Sequence, residues 1–261
     1  MKIIFSLVIL LLTNYVESVG NSNNFSKIQS FLTNQKPEKN TPKEIEIDKK
    51  YLTGHFVYLN DTNFIQISPF HGYPSIYLRK ETYNAFIRMY EAAKIDKIKL
   101  MIVSGTRNFP HQKNIWERKW YALNNSQQMY NANKFKEKYN KAKDILEYNS
   151  MPSTSRHHWG TEVDLNSDML SYFYTAEGIK VYDWLCKNAN KFGFYQVYKV
   201  KSDKRPNGYE EEKWHWSYKP LSDIFFKQYL KKVTINDVKG FLGWEVADTI
   251  GVIDNYVKMI D

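Results

Sequence analysis

The chain has 261 residues, 43% of them hydrophobic and many of them rings (20 Tyr, 15 Phe, 7 Trp), enough for one well-buried domain with a modest extension and too few to demand a second. Its one cysteine, Cys186, excludes an intrachain disulfide. The formal charge of +9 points toward a polyanion, whether nucleic acid, an anionic membrane surface or an acidic wall polymer.

At the N-terminus Lys2 precedes the apolar run Ile3 to Leu12, and the small residues Ser18 and Gly20 follow. This is the pattern of a secretory signal over residues 1–20, cleaved near one of those small residues. The run is shorter than the roughly 20 apolar residues of a membrane span, the alternative being a retained anchor. Export, to a periplasm or to the cell wall outside the cell, argues against nucleic acid as partner and leaves an anionic wall or membrane surface. Residues 21–50, rich in Asn, Ser, Lys, Thr and Pro, are expected to form a flexible leader, with packing from Tyr51.

From Leu78 the spacing of Tyr83, Phe86, Ile87 and Tyr90 predicts a helix, and Ile98, Leu100 and Ile102 alternate as in a strand over Lys97 to Val103. Ser104-Gly105 ends that strand, Asn108 with Pro110 opens a helix carrying Ile115, Trp116, Lys119 and Trp120, and Phe135, Tyr139, Ala142, Ile145 and Leu146 give another. Pro152 breaks the pattern. Thr161 to Asn166 reads as a strand with Val163 and Leu165 behind and Glu162, Asp164 and Asn166 in front. A helix over Gly178 to Asn190 follows, with Cys186 on its apolar side beside Ile179, Tyr182 and Ala189, so that the thiol reads as a small buried hydrophobe and not a nucleophile. Gly193 ends it, Phe194 to Val200 returns as a strand, and Trp214 to Tyr218 forms another. Beyond Pro220 the residues 220–261 read as a helical extension, expected to cover the domain, the alternative being a docking surface. Strands and helices without regular alternation predict a single α+β domain over 51–219 with a mainly antiparallel sheet.

Three short segments hold most of the reactive side chains: Ser104 to Arg107, Ser155 to Asp164, and Glu212 to His215. A hydrolytic zinc site needs three protein ligands, a fourth position open to water and a base beside it, and two imidazoles, a carboxylate and a spare carboxylate meet that list. If Trp214 to Tyr218 is a strand, His215 and Ser217 share one face and Trp214 and Trp216 the other. Glu212, three residues before His215, then faces correctly only from a turn or bulge. His55, His71 and His111 have no ligand-like surroundings and are expected to be structural or surface groups. His158 adjoins His157, and side-chain chemistry alone does not separate them.

The order Ser-x-His-x-x-Gly-x-x-x-Asp (Ser155 to Asp164) and then Glu-x-Trp-His (Glu212 to His215) resembles the zinc peptidases of the VanY type, D-alanyl-D-alanine carboxypeptidases related in fold to VanX and to hedgehog domains. The likeness covers roughly Leu78 to Tyr218. By position it implies His157, Asp164 and His215 as Zn²⁺ ligands, Glu212 as catalytic base, and Arg107 as the group that binds substrate and steadies developing charge. Ser155 is a further substrate-binding candidate. The pattern departs from the family at Thr106, where an aromatic is common, at Lys213, where proline is frequent, and at Glu162, where a small residue is usual. Glu162 either orients a ligand imidazole from behind or is simply solvated, and Arg107 keeps the alternative of an ordinary ion pair. The implied substrate is a peptidoglycan stem peptide, with an endopeptidase on the same metal centre and a non-catalytic wall-binding module as rivals; the chain is separately expected to be a monomer.

Overall fold

The structure, a computed structural model, describes residues 45–125 and 135–261; the expected signal and most of the expected leader lie outside the described residues. Helix α1 (Lys49–Thr53) starts where the Asp48 carboxylate accepts from the Lys50 amide and stops at Gly54, φ 81°. Strands β1 (Phe64–Gln66) and β2 (Tyr77–Arg79) pair antiparallel. Helix α2 (Lys80–Ile95) forms where the spacing predicts one, but its buried face is turned from the expected stripe: Tyr83 and Phe86 are buried with Ala85, Met89 and Ala93, while Ile87 and Tyr90 are half-buried at its margin.

Strands β3 (Ile102–Ser104), β4 (Glu162–Leu165), β5 (Phe194–Gln196) and β6 (His215–Tyr218) form a sheet of order β3-β4-β6-β5 with every neighbour antiparallel. Helices α3 (Phe109–Asn125) and α4 (Phe135–Ile145) follow β3, and α5 (Ala176–Asn188) lies between β4 and β5. Helix α6 (Lys219–Lys232) continues from β6 and gives way to short turns of helix through Val257. The fold is α+β with antiparallel sheets, as expected.

Behind the sheet, Val163 and Leu165 of β4 and Trp216 of β6 pack with Phe86 and Met89 of α2 and Leu185 of α5. Trp116 and Trp120 of α3 meet Ala142 and Ile145 of α4 together with Val246, Ile250 and Tyr256. A third cluster joins Leu52, Trp159, Phe225, Tyr229 and Val257. Chain after Pro220 thus contributes rings and branches to two of the three clusters, within one compact unit over Glu46–Asp261.

Three local expectations are corrected. Of the alternation over Lys97 to Val103 only the end pairs, because its partner β4 gives out at Asn166, φ 65°, whose side-chain oxygen takes the Met101 amide instead. Leu100 is buried without a ladder. Cys186 is exposed, not buried: the inward face of α5 is Val181, Trp184 and Leu185, and Ile179 sits with Cys186 on the outer side. Trp214 does not anchor β6 from behind, since it lies in the turn before the strand and walls the cleft described next.

Candidate metal centre and its cleft

Register does most of the assembly. In the β4–β6 pair Asp164 stands directly opposite His215 and Glu162 opposite Ser217, so all four side chains point away from the Val163–Trp216 side. His157 comes from a one-turn 3-10 helix (Arg156–Trp159) that closes at Gly160, φ 74°. A Cβ at Gly160 would lie 2.6 Å from the Phe64 ring, so both the backbone angle and the close approach require glycine. Glu212 precedes β6 in a turn where the His215 amide donates to the Glu212 carbonyl at 3.3 Å. That turn brings the carboxylate round to the histidine's side, as the spacing demanded.

The inward atoms lie close together. His157 Nε2 is 3.2 Å from His215 Nδ1 and 3.4 Å from Asp164 Oδ2, and His215 Nδ1 is 3.2 Å from Asp164 Oδ1. Ligand atoms 2.0–2.1 Å from a tetrahedral zinc ion lie about 3.3 Å from one another. Among the described residues these three make up the one such grouping of His, Cys, Asp and Glu. Each imidazole spends its proton outward. His157 Nδ1 donates to the Gly105 carbonyl at 2.7 Å and His215 Nε2 to Glu162 Oε2 at 3.0 Å, while buried Asp164 Oδ1 has no hydrogen-bond donor. Three lone-pair atoms facing one point with an orphaned carboxylate oxygen fit a divalent cation.

The electrostatics agree. Burial opposes charge on Asp164, yet His157 and His215 beside it hold its carboxyl well below the usual range. With protein groups alone, a proton on His215 serves as the cation: burial opposes it, but Asp164 and Glu162 hold the imidazolium up at about 9. Burial and the Arg107 charge lower His157. Glu212 Oε2 lies 3.5 Å from His215 Nδ1, and burial pushes this carboxyl up to about 8.

These groups floor a cleft of about 440 Å³ whose walls include Tyr58, Ile115, Tyr148, Tyr198 and Trp214. Arg107 and Ser155 line it too. Among the described residues Arg107 joins no salt bridge, and its buried Nε has no hydrogen-bond partner; Ser155 Oγ is likewise buried and unpartnered. An ordinary ion pair does not account for Arg107 placed so. His158 is turned away from the cluster, its Nδ1 donating to the Arg107 carbonyl at 2.6 Å and its Nε2 accepting from the Ser153 amide at 3.1 Å. Both nitrogens are engaged with backbone, which separates it from His157.

His55 stacks on Phe109 and His71 bonds the Tyr83 hydroxyl at 2.6 Å, both structural roles. His111, expected to be merely structural or on the surface, stands on the cleft wall. Sequence reasoning missed Tyr148, Tyr198 and Arg156. For the two tyrosines no local signal exists, because both reach the cleft from segments outside the motifs. Arg156 stood inside a motif and was passed over for its neighbour. Glu162, left open above, is fully buried against His215.

A family model described as VanY, D-alanyl-D-alanine carboxypeptidase, matches residues 75–221, more than half of the chain. A D-alanyl-D-alanine carboxypeptidase of Enterococcus faecalis is 30% identical over 131 residues, covering 50% of this chain and 44% of that protein. The Bacillus subtilis protein YodJ is 29% identical over 171 residues, covering 60% of this chain and 55% of that one. The chain thus spans about half the length of the curated relatives it matches. Among solved structures, a zinc complex of the vancomycin resistance D,D-pentapeptidase VanY is similar with a TM-score of 0.48 at 22% identity, over 71% of this chain and 89% of that one.

Proposed function

The chain belongs to the VanY family of D-alanyl-D-alanine carboxypeptidases, and on that premise we propose that it is an exported zinc peptidase that removes the terminal D-alanine of peptidoglycan stem peptides. The observation that carries the reading is the convergence of His157, Asp164 and His215, with inward atoms 3.2 to 3.4 Å apart and Glu212 beside them. When bound, a zinc ion on these three ligands supplies Lewis acidity at the cleft floor and brings water into reach of deprotonation at about pH 7.

The chain's own groups do the rest. Glu212 takes a proton from the attacking water and passes it to the leaving amine; burial raises this carboxyl above the ordinary range, which makes its carboxylate a stronger base than an exposed one. Arg107, with donors unspent, offers its planar fork to the substrate's terminal carboxylate, which is what an enzyme cutting at a free C-terminus requires. Ser155 Oγ donates to the bound peptide, and the rings of Tyr148 and Trp214 shield the bond from bulk solvent. The positive charge suits an anionic wall, and the Lys2 to Leu12 pattern carries the chain out of the cytoplasm.

Metal analysis of the purified protein, paired with mass spectrometry of a defined muropeptide ending in D-Ala-D-Ala, tests this. The expected result is bound zinc and loss of one alanine, abolished when the terminal carboxylate is amidated. Larger peptide fragments, or zinc and wall binding without any cleavage, contradict it and favour an endopeptidase or a binding module respectively.

A further inference from the structure

We propose that Glu162 is a positioning residue that fixes which nitrogen of His215 meets the cation, and that Arg156, Thr161 and Ser217 exist to hold it there. The inference rests on the metal centre of the proposed function. The two candidate ligand imidazoles differ in what receives their outward protons. His157 gives its outward proton to a neutral backbone carbonyl, whereas His215 gives its own to a carboxylate, Glu162 Oε2 at 3.0 Å. A histidine ligates only through the nitrogen without a proton. Whatever holds a proton on His215 Nε2 therefore keeps Nδ1 free for the ion.

Glu162 is built for that task. Its side chain is fully buried, and its other oxygen, Oε1, takes Arg156 Nη2 at 3.2 Å, Thr161 Oγ1 at 2.9 Å and Ser217 Oγ at 2.8 Å. Three donors on one oxygen leave Oε2 to His215 alone. Arg156 has no other anionic partner among the described residues: its Nε and Nη1 are buried without a hydrogen bond, and its guanidinium stacks over Trp159 at 4.6 Å. Such a cation, costly to bury, balances the charge of a carboxylate that points at the ligand instead of at solvent. A carboxylate behind a ligating imidazole also raises its donor strength. The sequence places this acid where a small residue is usual in the family it resembles, so the device is a property of this chain.

The test compares wild type with Glu162→Gln and with the double variant Glu162→Ala, Arg156→Met, which removes both members of the buried pair. In the glutamine variant the side-chain oxygen stays with the three donors and the amide nitrogen meets His215 Nε2. That arrangement drives the imidazole proton to Nδ1, the position the ion must occupy. Zinc dissociation constants are measured by competition with a chromophoric chelator, the visible bands of Co²⁺-loaded protein report the ligand set, and circular dichroism reports folding. Both variants are expected to fold and to bind zinc about 10- to 100-fold more weakly, with shifted Co²⁺ bands.

A folded variant whose zinc affinity lies within about 3-fold of wild type, with unchanged bands, overturns the assignment and leaves a purely structural ion pair; so does failure of both variants to fold. A wild-type protein that takes up no zinc fails differently, because it removes the metal centre itself and the inference with it.

Discussion

Glu212 has one task in this account and is a ligand in none of its steps. Glu212→Gln keeps the shape and loses the proton carrier, so kcat is expected to fall about 10²- to 10⁴-fold while bound zinc stays at wild-type stoichiometry, as steady-state kinetics and metal analysis will read. Loss of the metal along with the activity would make Glu212 a ligand instead. His158 offers a test of a different kind. Burial, opposed by the hydrogen bond to the Arg107 carbonyl and helped by the Arg107 charge, depresses its pKa to about 3, against the ordinary 6.5 of the unfolded chain. Between those values the unfolded chain binds a proton that the native one does not, so stability falls as pH falls, by up to about 1.4 kcal/mol per pH unit from this group. In urea melts of chelator-treated protein, His158→Asn is expected to show a shallower loss between pH 6 and pH 4 than wild type. At this scale the three candidate ligands, His157 among them, were legible from motif order, whereas side-chain chemistry alone did not separate His157 from His158. Adjacent histidines differ only in what the turn aims them at.

At the scale of elements, what could be read was period and what could not was pairing. The alternation over Thr161 to Asn166 and over Trp214 to Tyr218 already placed Asp164 and His215 on front faces, and the three-residue step to Glu212 required the turn that the structure contains. The strand before Ser104 was overdrawn because its length depends on the partner, which ends at Asn166. Cys186 was misassigned because Ile179 and Cys186, one heptad apart, make a plausible stripe; the larger Trp184 and Leu185 make the face that packs. The end of α1 gives a prediction. Gly54 has φ 81°, and a Cβ there would lie 2.4 Å from His158 Nδ1, the atom that holds the Arg107 carbonyl. Gly54→Ala therefore meets both backbone strain and a ring that has no room to retreat. It is expected to lower unfolding stability by about 1–3 kcal/mol and to raise KM, by displacing the segment that carries Arg107. An unchanged melt and unchanged KM would break that link.

For the whole molecule, the site depends on chain far from the motifs. Tyr229 of α6 donates its hydroxyl to the Ser153 carbonyl at 3.0 Å, and Phe225 stacks on Trp159, so residues after Pro220 brace the loop that carries Ser155 and His157. No periodicity could announce that bracing, because it pairs positions 76 apart in sequence. Tyr229→Phe leaves a buried carbonyl without its donor and is expected to cost about 1–3 kcal/mol of stability in denaturant melts, with zinc stoichiometry retained. The centre itself gathers His157 from a 3-10 turn, Asp164 from β4 and His215 from β6, and its reality is a matter of coordination. X-ray absorption at the zinc edge of the reconstituted full chain measures that directly. The predicted result is two imidazole nitrogens and oxygen ligands at about 2.0–2.1 Å. A sulfur neighbour near 2.3 Å, or a shell of oxygens without imidazole scattering, would contradict it.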